Sequence, residues 1–187
     1  MVSVNMRLLV LVLIPVFLAG CGGTMNDLNP SNSDKQATVQ SGTVGSHVGQ
    51  KAPDFTISDT LGTSVNLSSV LTGTGVTGVV LYFTMWCPTC DIHMSSMRSS
   101  HIPNFPNVRF FAVDYVSGTV AEARDSEISN GYSGSGFTVL VDTDKTVQNL
   151  YYPTTMGTTI VIDKTGVIRM NEDYKDDRLT TALTSLL

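Results

Sequence analysis

The pattern Cys87-Pro-Thr-Cys90 constrains this chain more than any other feature, because it follows Trp86 at the point where an apolar run gives way to a helical pattern. Two thiols separated by two residues can close a disulfide with acceptable geometry. A thiol at the N-terminus of a helix is favoured as the thiolate, since the helix dipole stabilises negative charge there. The motif therefore indicates either a redox-active cysteine pair or part of a metal-binding site.

The residues on either side place the motif at a junction between a strand and a helix. Residues 78–84 are a nearly continuous run of apolar, β-branched and aromatic side chains, which predicts a buried strand of a mostly parallel sheet. Apolar residues then recur at helical spacing, and Pro88 is tolerated in a first helical turn. A structural zinc site needs two more ligands at matching spacing, and the sequence has no second such cysteine pair. The lack of further ligands favours a redox-active dithiol over a metal-binding site.

The third cysteine, Cys21, stands at the end of an N-terminal segment. Residues 1–20 carry Arg7, an apolar run and then Ala19-Gly20, which is the layout of a secretory signal peptide. The stretch from Leu18 to Cys21 also resembles the bacterial lipoprotein box, whose cysteine becomes the lipidated first residue of the mature protein. We therefore predict a lipoprotein signal peptide over 1–20 and an extracytoplasmic protein anchored to a bacterial membrane, on the periplasmic side or at the cell surface. The alternative is an ordinary signal peptide followed by a chance cysteine.

With Cys21 assigned to the anchor, Cys87 and Cys90 form the single remaining pair of the three cysteines. Residues 21–46 are rich in small and polar side chains, so they predict a flexible tether. Residues 47–187 are long enough for one domain with a sizeable core. Without Arg7 the chain has 10 basic and 16 acidic residues, a net charge of −6, which disfavours nucleic acid as a partner.

The pattern of the domain predicts alternating strands and helices. The predicted strands cover about 54–58, 65–67, 78–84, 108–114, 137–141, 158–163 and 166–170. The predicted helices cover about 88–100, 120–129, 145–151 and 177–186. A strand, a helix and a strand, followed by a hairpin and a terminal helix, form the thioredoxin order. The predicted fold class is α/β and thioredoxin-like, with a central mixed sheet flanked by helices and an N-terminal extension.

The domain resembles the membrane-tethered thioredoxin-like family of the TlpA/ResA type. That family shares the sequence motif at the start of its domain with the peroxiredoxin-like redoxins. The matching segments are Val48-Gly-Gln-Lys-Ala-Pro-Asp-Phe55, Val65-Asn-Leu-Ser-Ser69, Trp86-Cys-Pro-Thr-Cys90, Phe137-Thr-Val-Leu-Val-Asp142 and Thr158-Thr-Ile-Val-Ile-Asp-Lys-Thr-Gly166. The resemblance implies thiol-disulfide exchange, without a cofactor, with protein thiols and disulfides. Partners in this family range from apocytochrome c to other secreted proteins.

The same resemblance implies a role for each residue of the motif. Cys87, the more exposed thiol at the helix start, would be the attacking or attacked sulfur. Cys90, one turn into the helix, would resolve the mixed disulfide. Trp86 would shield one side of Cys87, and Pro88 with Thr89 would tune the stability of the thiolate.

Two positions depart from the family pattern. Relatives carry a cis-proline opposite the cysteine pair, and counting along the chain puts Gly157 there, preceded by Met156. A glycine can adopt the required backbone but does not enforce a cis bond. For proton transfer, thioredoxin has a buried aspartate where this chain has Leu81, and many relatives have a glutamate where it has His93. A histidine there could exchange a proton with Cys90, or it could be a surface residue with no role.

Two other functions stay open. Cys90, His93, Met94, Met97 and His101 recur at helical spacing, and thiolate, thioether and imidazole suit Cu(I), so Cys87, Cys90, His93 and Met97 form an alternative copper site. Met94 and Met97 could equally be core residues. Thr84 lies three residues before Cys87 as in peroxiredoxins, but Val80 replaces the proline of that pattern. A peroxidase is therefore the third interpretation.

Overall fold

The computed structural model describes residues 40–187. Its strands are β1 (Thr56–Asp59), β2 (Ser64–Asn66), β3 (Gly78–Thr84), β4 (Val108–Asp114), β5 (Phe137–Val141), β6 (Thr158–Asp163) and β7 (Ile168–Asp173). Its α-helices are α1 (Leu67–Leu71), α2 (Pro88–Ser96), α3 (Val120–Ser129), α4 (Thr146–Tyr151) and α5 (Asp176–Thr184).

The seven strands form one mixed sheet in the order β2-β1-β5-β4-β3-β6-β7. Strands β3, β4 and β5 are parallel, while β1, β6 and β7 each run antiparallel to their neighbours. Strand β3 lies inside the sheet and every one of its residues is buried, which explains its uninterrupted apolar sequence. Helices cover both faces of this sheet, so the predicted thioredoxin-like fold class is confirmed.

Alternate residues of β3 face two separate core clusters. Val80 and Tyr82 pack with side chains of α2 and α5, whereas Leu81 and Phe83 pack with side chains of α1 and α4. This alternation is the period-two geometry of a strand. Val80 and Tyr82 are therefore the residues of β3 that lie on the same side of the sheet as α2.

Several predicted boundaries differ from the structure by one or more residues. The predicted helix over 88–100 is α-helical only to Ser96 and continues as a π-helical turn over Met97–His101. The second arm of the hairpin is Ile168–Asp173 rather than 166–170, because the Asp163 carboxylate accepts hydrogen bonds from the backbone of Thr165 and Val167 and so lengthens the turn. The strand predicted at 65–67 lies one residue earlier, at Ser64–Asn66, since Asn66 caps α1 through its side chain and the helix begins at Leu67.

The predicted signal peptide and Cys21 lie outside the described residues. Residues 40–46, the last part of the predicted tether, lie against the domain. There the backbone of Gly45 donates to Lys51, and Ser46 accepts a hydrogen bond of 2.7 Å from Asn171. Within residues 40–187, no helix is both long enough and apolar enough to cross a membrane.

Candidate active site

Cys87 and Cys90 are joined by a disulfide at the N-terminus of α2. Cys87 is the N-cap residue, and its sulfur accepts a hydrogen bond of 3.1 Å from the backbone N–H of Cys90. Cys87 is half-buried, whereas only 1% of Cys90 is exposed. In the reduced protein the same N–H and the helix dipole would stabilise a thiolate on Cys87, because both favour negative charge at that atom.

Trp86 is held beside the disulfide by two polar contacts. Its indole N–H donates to the Asp114 carboxylate at 2.8 Å, and its backbone N–H donates to the Thr84 hydroxyl at 3.1 Å. Its φ of +57° is unusual for a residue with a side chain. Asp114 ends β4 directly opposite Thr84 in the parallel register, which brings its carboxylate to the cysteine loop. Asp114 is not among the site residues predicted from the sequence, although its position at the end of the strand after β3 could have indicated it.

Tyr82, rather than Leu81, lies on the sheet face that packs against α2. Tyr82 belongs to the same buried cluster as Cys90, while Leu81 belongs to the cluster on the opposite face. Leu81, which counting from Cys87 aligns with the thioredoxin aspartate, therefore faces away from α2, as the alternation of β3 requires. Burial raises the pKa of Tyr82, so its hydroxyl stays protonated at neutral pH.

His93 connects α2 to Tyr82 and to the end of the sheet. Its Nδ1 atom shares a hydrogen bond of 3.0 Å with the Tyr82 hydroxyl, and its ring stacks on Tyr174 with centroids 4.4 Å apart. Burial lowers the pKa of His93, which favours the neutral imidazole at pH 7. Among the described residues its hydrogen bond is to Tyr82, and Cys90 lies one helical turn before it.

The loop before β6 brings Met156 and Gly157 to the disulfide. The Met156 Sδ atom lies 3.4 Å from the Cys87 Sγ atom, although Met156 is 47% exposed. Gly157 donates its N–H to the Phe83 carbonyl at 2.9 Å and has a φ of +92°. A proline could supply neither feature, because it lacks the N–H and its φ is fixed near −65°. Residues 40–187 contain no cis peptide bond.

We expect Gly157→Ala to destabilise the domain more than a backbone effect alone explains. An added Cβ atom would lie 3.0 Å from His93 Nδ1 and 3.3 Å from the Tyr82 hydroxyl. The matched control is Gly166→Ala, because Gly166 also has a positive φ but nothing within 4 Å of the added Cβ. The control should cost about 1–2 kcal/mol of unfolding free energy from the left-handed backbone. Gly157→Ala should cost at least about 1 kcal/mol more from crowding.

Urea denaturation of both variants measures this difference. Equal losses would show that His93 and Tyr82 move away from Gly157 at no cost, which contradicts the tight packing of this cluster.

Met94, Met97 and His101, which the copper interpretation placed on one helix face, are all buried side chains. Met94 and Met97 are fully buried in the core cluster. His101 is buried and its Nε2 atom contacts the Thr180 hydroxyl at 3.0 Å. Among the described residues, no three His, Cys, Asp or Glu side chains gather into a candidate metal site. This burial favours the interpretation of Met97 as a core residue.

The sheet, the helices and a disulfide at the start of α2 define this molecule as a protein of the thioredoxin-like class. The sequence profile of the AhpC/TSA family matches residues 48–171. The chain belongs to the AhpC/TSA family. A comparison with curated proteins found no match.

Solved structures share the fold at low sequence identity. A protein described as a putative thiol:disulfide interchange protein DsbE from Chlorobium tepidum is 24% identical, covers 75% of this chain and 97% of its own, and has a TM-score of 0.62. A secreted disulfide oxidoreductase of Mycobacterium tuberculosis is 20% identical, with coverages of 70% and 95% and a TM-score of 0.54. Peroxidoxin BcpB of the same organism is 21% identical, with coverages of 74% and 95% and a TM-score of 0.56.

Proposed function

We propose that the protein is an extracytoplasmic thiol-disulfide oxidoreductase that exchanges disulfides with protein partners through Cys87 and Cys90. The observation that carries this proposal is the disulfide at the start of α2, with a half-buried sulfur on Cys87 and a buried one on Cys90. When the protein reduces a partner, the Cys87 thiolate attacks the partner disulfide and releases one partner thiol, and Cys90 then displaces the second as the Cys87–Cys90 disulfide forms. When it oxidises a partner, a partner thiolate attacks Cys87 and releases the Cys90 thiolate, and a second partner thiol then displaces Cys87. Pro88 and Thr89, which are exposed in the first turn of α2, set how well the thiolate is stabilised.

Apolar side chains beside Cys87 support a protein as the partner. Met156, which contacts the Cys87 sulfur, is exposed. Met85, two residues before Cys87, is also exposed. Such side chains gain free energy when a partner chain covers them. Secreted thiol proteins, among them apocytochrome c, have the required chemistry and location.

Lipidation of Cys21 is the second part of the proposal. A signal peptide over 1–20 followed by this cysteine would hold the domain at a bacterial membrane, outside the cytoplasm, where disulfides persist. Mass spectrometry of the membrane-extracted protein should find an acylated N-terminal Cys21. A soluble mature protein with an unmodified Cys21 would contradict the anchor.

The family also includes peroxide chemistry, so a peroxidase is the second candidate. Thr84 has the peroxiredoxin spacing to Cys87, but its hydroxyl accepts from the Trp86 backbone. The experiment compares the rates at which the reduced protein reacts with a protein disulfide and with hydrogen peroxide. Oxidation should be faster with the disulfide, and the product with either oxidant should be the Cys87–Cys90 disulfide. Much faster oxidation by peroxide would make the protein a peroxidase.

We expect His93→Gln to slow disulfide exchange at pH 7 by about tenfold or more, since a positioned proton-transfer group is worth at least that much. Glutamine keeps a hydrogen-bonding group near Tyr82 but cannot transfer a proton in this pH range. Because burial lowers the pKa of His93, the wild-type rate should stay high down to pH 6.5 and fall only below it.

The pH profile separates proton transfer from a structural role. The His93→Gln variant should lack the inflection that His93 gives below pH 6.5 and should keep only the pH dependence of the Cys87 thiolate. A variant that is slower but retains this inflection would show that His93 only positions the helix.

A further inference from the structure

The loop before β6 brings a third sulfur to the cysteine pair. Met156 Sδ lies 3.4 Å from Cys87 Sγ, and Cys87 Sγ is bonded to the sulfur of Cys90. Three sulfur atoms from two distant segments of the chain therefore lie close together at the start of α2. None of this convergence requires Met97 or His101, both of which are buried.

The Met156 loop is held in place by hydrogen bonds on both sides of the methionine. Gly157 donates to the Phe83 carbonyl and accepts from the backbone N–H of Tyr174 at 3.0 Å. Thr155 contacts the Asp173 carboxylate through its hydroxyl. The thioether is therefore presented to Cys87 by a fixed backbone, and a site whose ligands are already positioned loses less entropy on binding.

We propose that the reduced protein binds one Cu(I) ion through the sulfurs of Cys87, Cys90 and Met156. Thiolate and thioether sulfurs are the ligands that favour Cu(I). The described residues offer no cluster of three His, Cys, Asp or Glu side chains, so the set of four nitrogen and sulfur ligands that Zn²⁺ prefers is not assembled here. The half-buried Cys87 and the exposed Met156 offer the ion two sulfurs from solvent, and the buried Cys90 sulfur lies next to that of Cys87.

Binding is a ligand exchange without electron transfer. The two thiols lose their protons to solvent as the Cu(I)–sulfur bonds form, while the thioether binds as a neutral donor. The oxidation state of copper does not change. The oxidised protein has no thiol to offer, so copper binding and the Cys87–Cys90 disulfide exclude each other.

The test uses the full chain with Cys21→Ser, so that Cys87 and Cys90 are its remaining cysteines. The protein is reduced, its thiols are counted, and Cu(I) affinity is measured by competition with a coloured Cu(I) chelator. Loss of even an outer-shell partner weakens metal binding about 10–100-fold, so Met156→Leu should weaken Cu(I) binding by at least about tenfold. X-ray absorption should count three sulfur ligands before this substitution and two after it.

Three control variants make the assignment specific. Met85→Leu changes another exposed methionine near the motif, Met97→Leu changes a buried one, and His93→Ala removes the nearby imidazole. All three should bind Cu(I) as tightly as the parent chain, and the oxidised parent should not bind it. Unchanged affinity in Met156→Leu, or a loss in Met97→Leu or His93→Ala, would overturn the proposal. Disulfide exchange is measured in a separate assay. The failure of the copper proposal can therefore be distinguished from the failure of the proposed oxidoreductase function.

Discussion

Replacing Cys87 with serine should reduce the rate of protein disulfide reduction to the uncatalysed background. Cys87 is the half-buried sulfur at the start of α2, and Cys90 is 1% exposed, so Cys90 cannot take over the attack on a folded partner. Serine keeps the N-cap oxygen and therefore the helix start, but its hydroxyl does not form the nucleophilic anion at neutral pH. Insulin reduction with dithiothreitol as the electron source measures this loss.

The matched control is Cys21→Ser, which removes the other cysteine of the chain. This variant should reduce insulin at the wild-type rate, because Cys21 precedes the domain and is assigned to the anchor. Activity that survives in Cys87→Ser and disappears in Cys21→Ser would contradict the assignment of the active cysteine.

Replacing Cys90 with serine should trap partners as stable mixed disulfides on Cys87. The partner still reacts with Cys87, but the thiol that would displace it is missing, so the intermediate accumulates. Non-reducing electrophoresis followed by mass spectrometry identifies the linked peptides. We expect the trapped species to involve Cys87 in nearly all adducts.

The double variant Cys87→Ser with Cys90→Ser is the control for this experiment, and it should trap nothing. Adducts of equal amount in the double variant would have to be carried by Cys21, and that outcome would overturn the roles given to the cysteine pair.

The sequence predicted the elements whose pattern is local. The boundaries of β3 and α3 agree with the predicted 78–84 and 120–129, because one is a continuous buried run and the other begins at a threonine cap. The second arm of the hairpin was misplaced because the Asp163 side chain organises a longer turn. Side-chain control of a turn is a specific geometry that apolar spacing does not report.

The surroundings of the cysteines were less predictable because they depend on tertiary contacts. Met156 is 69 residues from Cys87 in sequence, and its contact with the sulfur follows from the path of the loop before β6. Asp114 reaches Trp86 only through the register of β3 with β4. Tyr82 could have been found from the alternation of β3, since residues two apart in a strand share a face.

The most direct test of the central claim is a redox equilibrium of the protein in buffers of reduced and oxidised dithiothreitol. Trp86 is the sole tryptophan of the chain and precedes Cys87, so its fluorescence reports the state of the pair. We predict one transition in which both thiols appear together, with a tenfold change in their ratio for every 30 mV or so, as a two-electron couple requires. A chain whose Cys87 and Cys90 thiols show no reversible transition over the accessible range would contradict the account.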